Sequence, residues 1–204
     1  MSEPLAAFCK FRLDRATLVR WLDAPVPPAS RWADWRDIGG RYNLEGGVRD
    51  IRDIPAAELA QKVLRSDEDL RAYPTNRAAL RAILATAEMP HLKRAAYDPA
   101  TRDFVAGSLT YSENLIDYMV FYTVARGIEA YFGPDDYGIA VIHNYIWGDD
   151  RTTHSALRLG PKAHSEFMKA SERGSAGGAF QGIADAMLDP SHPAALIDEL
   201  ATLR

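Results

Sequence analysis

Five side chains able to do chemistry fall close together in this chain: His143, Asn144, Asp149, Asp150 and His154. Neutral imidazoles and carboxylates are ligands for a divalent metal, provided that they converge within about 2.0–2.2 Å of one point. Spacing alone does not bring them there. In an extended chain His143, Tyr145 and Trp147 share a face with Ile139 and Val141. Ala140, Ile142, Asn144 and Ile146 share the other, so His143 and Asn144 turn apart. A hairpin that returns His154 beside Asp149 would gather His143, Asp149 and His154, which are the candidate metal ligands. The enzyme reading that follows is a metal-dependent hydrolase. The plainer reading is that Gly148-Asp149-Asp150 is turn chemistry and that both histidines serve the fold.

Other polar groupings carry less. His164-Ser165-Glu166 offers an acid and a base two residues apart, and equally describes a solvated surface. No Gly-x-Ser-x-Gly elbow is present to raise a nucleophile. The glycine-rich run 174–182 lacks the Lys-Ser/Thr ending and the preceding strand of a phosphate loop, so 169–182 reads as a flexible loop. Cys9, the single cysteine, rules out an internal disulfide and a multi-cysteine zinc site. It reads as a buried thiol within a strand. No cofactor motif occurs, and no cofactor is expected.

A third grouping is aromatic. Trp21, Trp32, Trp35 and Tyr42 alternate with Arg20, Arg31, Arg36 and Arg41, which resembles a stacking surface for nucleic acid. Asp23, Asp34, Asp37 and Glu45 lie among them and cancel the field. What remains is core packing or a protein interface, for which Trp and Arg are the usual anchors. Trp32 and Trp35 are accordingly the candidate anchors of a protein-binding surface. Asp149 and Asp150 are candidate contacts for a basic partner, with Asp135 and Asp136 at the far end of the same strand.

These residues need a scaffold, and the periodicities describe one. Residues 8–13, 92–97, 104–111, 137–147 and 153–160 read as strands. Asp98-Pro99-Ala100-Thr101 turns the second into the third, and Gly148-Asp149-Asp150 turns the fourth into the fifth. Asp14 caps a helix through Trp21 or Leu22. Pro55 opens one running to Leu64, and Thr75 caps one reaching about Glu88. Ser112 caps the longest, 113–131, whose apolar positions cover more than half its circumference and predict a buried central helix. A terminal helix is expected from about Pro193 to Leu203. Residues 29–54 read as an irregular packed loop. Two antiparallel strand pairs with interspersed helices predict an α+β domain, with an antiparallel sheet of about five strands and helices packed against it. The whole of 1–204 is expected to form a single compact domain.

Composition narrows function by exclusion. With 47% hydrophobic and 25% charged residues, the chain is that of an average globular protein. Arginine dominates the basic residues, a compositional mark of a GC-rich bacterial genome. No run of about 20 apolar residues could span a bilayer, and Met1 to Phe8 lacks the basic and apolar parts of a secretory signal. A cytoplasmic protein is expected, with no membrane partner. A net charge of −4 argues against nucleic acid. The function expected is therefore a non-enzymatic protein-binding module, of the bacterial inhibitor or immunity type, that neutralises a basic partner through an acidic, aromatic-containing surface.

Overall fold

The sheet is built outward from the first strand. β1 (Leu5–Arg12) lies in its middle, and Ala6, Ala7, Phe8 and Cys9 are all buried, as a strand covered on both faces requires. The computed structural model describes residues 3–44, 47–87, 89–147, 152–189 and 198–204. β1 pairs antiparallel with β5 (Asp103–Ser112) and with β6 (Tyr137–His143). β4 (Lys93–Asp98) flanks β5, while β7 (Thr153–Gly160) and β8 (His164–Phe167) continue beyond β6. The result is a six-stranded antiparallel sheet in the order β4-β5-β1-β6-β7-β8. A short hairpin, β2 (Arg41–Leu44) with β3 (Gly47–Asp50), stands apart from it.

Helices cover both faces. On one side α1 (Arg15–Asp23), α2 (Ala56–Leu70), α3 (Asn76–Ala85) and α4 (Leu115–Arg126) enclose a core with Cys9, Phe11, Phe104, Ile142 and Leu157. On the other, α5 (Ala170–Gly178) and α6 (Gln181–Leu188) cover Phe8, Val141 and Ala156. Tyr118 to Arg126 of α4 are buried without a break, so this helix is central, as its all-round apolar pattern implies. A 3-10 turn, Gly127–Tyr131, extends it to the expected end.

The caps show the local logic. Asp14 accepts the Thr17 N–H at 2.8 Å, and Thr75 Oγ1 accepts that of Ala78 at 3.2 Å. At α4 the cap is Asn114 and not Ser112: Asn114 Oδ1 accepts the Ile116 N–H at 2.8 Å. Ser112 Oγ instead accepts the Asn114 N–H at 3.0 Å and bonds Asp117 at 2.5 Å.

Several expectations are corrected. Residues 169–182 are not a flexible loop but α5 and the start of α6. Gly177 is there for close approach: a Cβ would overlap Thr153 Oγ1 and His143 Nδ1, so contact outweighs the helix cost of glycine. The strand expected over 137–147 ends at His143, because Asn144 starts a turn in which its side chain bonds both the N–H and the carbonyl of Trp147. Residues 29–54 hold 3-10 turns at Ala29–Arg31, Trp35–Ile38 and Ile51–Asp53 and the β2–β3 hairpin. α2 runs past Leu64 to Leu70, burying Ser66, Asp67 and Leu70. Of the expected terminal helix, 193–197 lie outside the described residues. Asp198 forms a bridge to Ala95 rather than a helical turn. Gly148, Asp149 and Asp150 also lie outside the described residues.

Candidate functional site

Two regions gather the residues singled out above, and each is organised by an arginine. The first is the irregular segment 29–38. Arg126, at the end of α4, is 1% exposed. Its two terminal nitrogens donate to the two oxygens of Asp34 at 2.7 and 2.5 Å, and Nε donates to Ser165 Oγ at 3.0 Å. The guanidinium also lies over the rings of Trp32, Trp35 and Phe167, at 5.1 to 5.5 Å. A buried guanidinium is tolerable only when so satisfied. It therefore fixes the backbone of a segment with little regular structure of its own. Asp67 of α2 adds a second tie, accepting the Ser30 N–H at 3.2 Å. Arg36 supplies a third, donating to the carbonyls of Ile51, Arg52 and Ile54.

Held in this way, the segment forms a groove of about 440 Å³ against α2, lined by Trp32, Arg36, Leu59, Ala60, Val63 and Leu64. The α2 residues recur at helical spacing and present one apolar stripe. Leu64 is 57% exposed, so part of the stripe faces solvent. The Trp32 indole N–H donates to Glu129 at 3.2 Å, which fixes the ring at the groove wall. Trp35, expected as a second anchor, also lines the groove, but as a buried side chain at its base. It is 1% exposed, and its N–H is satisfied by the Ala29 carbonyl at 2.9 Å.

The second region surrounds His154. Register passes from Ile142↔Ser155 to His143↔Thr153, so β7 carries one extra residue. That residue is His154, and such a bulge re-aims a side chain. His143 and Thr153 meet on the α5 side, Nδ1 to Oγ1 at 2.9 Å. His154 instead meets the edges of Tyr42 and Tyr118, with ring centroids 5.1 and 5.8 Å away. The two histidines thus point toward different layers. Among the described residues no group of three or more His, Cys, Asp and Glu side chains could hold a metal ion. Asp149, the third candidate ligand, lies outside the described residues.

Burial, reinforced by the Arg173 guanidinium, pushes His154 down from an ordinary 6.5 to about 4. The ring is neutral at neutral pH and a weak base. Arg173 donates to the His154 carbonyl and to that of Met168, both at 3.0 Å. Gly39 and Gly40 have φ of 68° and 90° and sit against Arg173 and His154 so closely that neither position has room for a Cβ. The neighbouring phenols are committed, Tyr42 to the Gly39 carbonyl at 2.8 Å and Tyr118 to that of Ser112 at 2.9 Å. Both are raised above the ordinary tyrosine value by burial. Beside them opens a cleft of about 600 Å³, with Arg41, Lys62, Glu3 and Glu113 on its walls. Among the described residues here, the His154 ring is a weak base and the Tyr42 and Tyr118 phenols are raised.

The remaining candidates resolve as structural parts. Asp136 is buried, accepting from the Gly133 N–H at 2.9 Å and from Arg102 at 3.1 Å. Glu166 pairs with Arg158 at 2.7 Å on an exposed face, and His164 beside it is exposed. Burial raises the Cys9 thiol to about 12, which makes it unreactive. Among the described residues no helix is long and apolar enough to cross a membrane. The chain matches no protein-family model, no curated protein and no solved structure.

Sequence reasoning missed Arg126 and Asp34, whose pairing across the chain leaves no local signal. It also missed Leu64 as a surface residue, although Leu59, Val63 and Leu64 are visible as one apolar side of a helix.

Proposed function

We propose that this chain is a non-catalytic protein-binding module that seats an apolar anchor of its partner in the Trp32–α2 groove. We extend this reading to an inhibitor or immunity-type role, in which the module occludes what it binds. The observation that carries the reading is the groove itself: an open apolar stripe ending in exposed Leu64, beside a tryptophan fixed by Glu129. Trp32 and Arg36 at the groove wall are of the residue types that anchor interfaces, and a preorganised wall lowers the ordering cost of binding. The net charge of −4 supports a basic partner. In this reading the acidic pair Asp149 and Asp150, outside the described residues, adds charge that steers the encounter with a basic partner.

The test is capture on immobilised protein, comparing wild type with Trp32→Ser and Leu64→Asp. The expected result is a protein retained by wild type and lost by both variants, with the thermal melt of Leu64→Asp unchanged and Trp32→Ser, which loses the Glu129 bond, still folded by circular dichroism. Retention of the same protein at equal affinity by both variants contradicts the groove.

A further inference from the structure

The two edges of the sheet are treated differently. β8 is a four-residue edge with exposed His164 and Glu166, and short charged edges resist pairing. β4 is longer, with Lys93, Arg94 and Asp98 flanking an uncharged Ala95-Ala96-Tyr97. Its inner side is fully used, paired with β5 from Lys93↔Ser108 to Asp98↔Asp103. Its outer side is occupied by the end of the chain. Asp198 bridges Ala95 in the parallel sense, and the Glu199 N–H donates to the Ala95 carbonyl at 2.9 Å. The Glu199 carboxylate then accepts the Tyr97 N–H at 2.8 Å, replacing the carbonyl that a neighbouring strand would offer. Leu200 and Leu203 anchor this segment in the core, and Arg77 of α3 donates to the Leu200 carbonyl.

We propose that the outer edge of β4 is a latent strand-pairing surface which residues 198–204 keep occupied, and that its occupant on release is the same edge of a second copy. An antiparallel pairing centred on Ala95 is its own two-fold partner. It sets Lys93 across from Tyr97, an ammonium against an aromatic ring, with no like charges opposed. In an antiparallel ladder a residue whose carbonyl points outward also points its N–H outward. Ala95 therefore offers both groups once Glu199 leaves. Withdrawal of Leu200 and Leu203 also uncovers apolar surface beside the strand, which favours burial against another chain.

The experiment compares three forms by size-exclusion chromatography with light scattering at equal concentration. They are the full chain, a chain ending at residue 197, and full-length Glu199→Pro, which removes both hydrogen bonds to β4 while keeping the two leucines. The full chain is expected to run as a monomer, and both altered forms at twice its mass. Ala95→Pro, added to each altered form, removes an outward donor while sparing the β5 ladder and is expected to restore the monomer. Circular dichroism establishes that each form is folded, and if the shortened chain does not fold, Glu199→Pro gives the result. Folded, monomeric altered forms overturn the proposal. So does association that persists with Ala95→Pro, or a full chain that is already equally dimeric.

Discussion

The Trp32 groove and the His154 cleft are both made of aromatic rings around an arginine, yet they differ in what they leave outside. In the groove Arg126 is neutralised by Asp34 at 2.7 and 2.5 Å, the polar groups turn inward, and apolar surface remains exposed at Leu64. In the cleft Arg173 is satisfied by the carbonyls of His154 and Met168, and burial, reinforced by its charge, holds the nearby imidazole neutral. There the arginine and the two phenols are taken up by backbone carbonyls, while His154 Nε2 is buried without a hydrogen-bond partner. A paired arginine yields a rigid platform beside open apolar surface, whereas the carbonyl-bound arginine lies in a packed region whose burial, with the arginine's charge, weakens its histidine as a base.

The comparison is broken most severely at Arg126. Asp34→Ala leaves a buried guanidinium without its counter-charge and is expected to cost about 3–5 kcal/mol in urea melts. A loss below about 1 kcal/mol would mean that the ion pair does not organise the groove. The central helix beneath both regions is next: Met119→Ala and Ile128→Ala, at fully buried positions, should each cost about 2–5 kcal/mol through lost burial and a residual cavity.

The cleft has its own signature in pH. His154 titrates near 6.5 when unfolded and about 4 when folded, so between these values the unfolded chain binds more protons. Stability from the neutral ring is complete above about pH 6.5, falls by about 2–3 kcal/mol as pH drops toward 4, and is flat below. His154→Gln should remove that part of the pH dependence. Equal slopes for variant and wild type would show that the ring is not held neutral. The smallest effect belongs to the groove surface: Leu64→Asp should change stability by no more than about 0.5 kcal/mol while abolishing binding.

Much of the scaffold is legible in the residues. The cap at Asp14, the hairpin about Pro99 and the all-round apolar pattern of α4 each follow from local rules that the tertiary structure obeys. Legibility fails where distant contacts decide. Gly174 to Gly178 look like a linker, yet they lie in a helix, and position 177 is glycine because Thr153 and His143 occupy the space a side chain would need. The four residues of β8 are too short for a period, and their strand depends on pairing with β7. Alternation along 137–147 separates His143 from Asn144, but one extra residue at His154 breaks the alternation of β7, and a bulge has no sequence period. Trp32 is recognisable by type as an anchor. That Trp35, three residues on, belongs to the core depends on the Ala29 carbonyl and on Arg126, neither of which spacing discloses.

The central claim is that the Trp32–α2 groove, and not the His154 cleft, is the working surface. Hydrogen–deuterium exchange of the wild-type chain, with and without a protein that it captures, addresses this most directly. The account predicts new protection in residues 30–36 and 59–64 and none in 41–44 or 113–118. Protection confined to 41–44 and 113–118, with exchange at Trp32 and Leu64 unchanged, would contradict it.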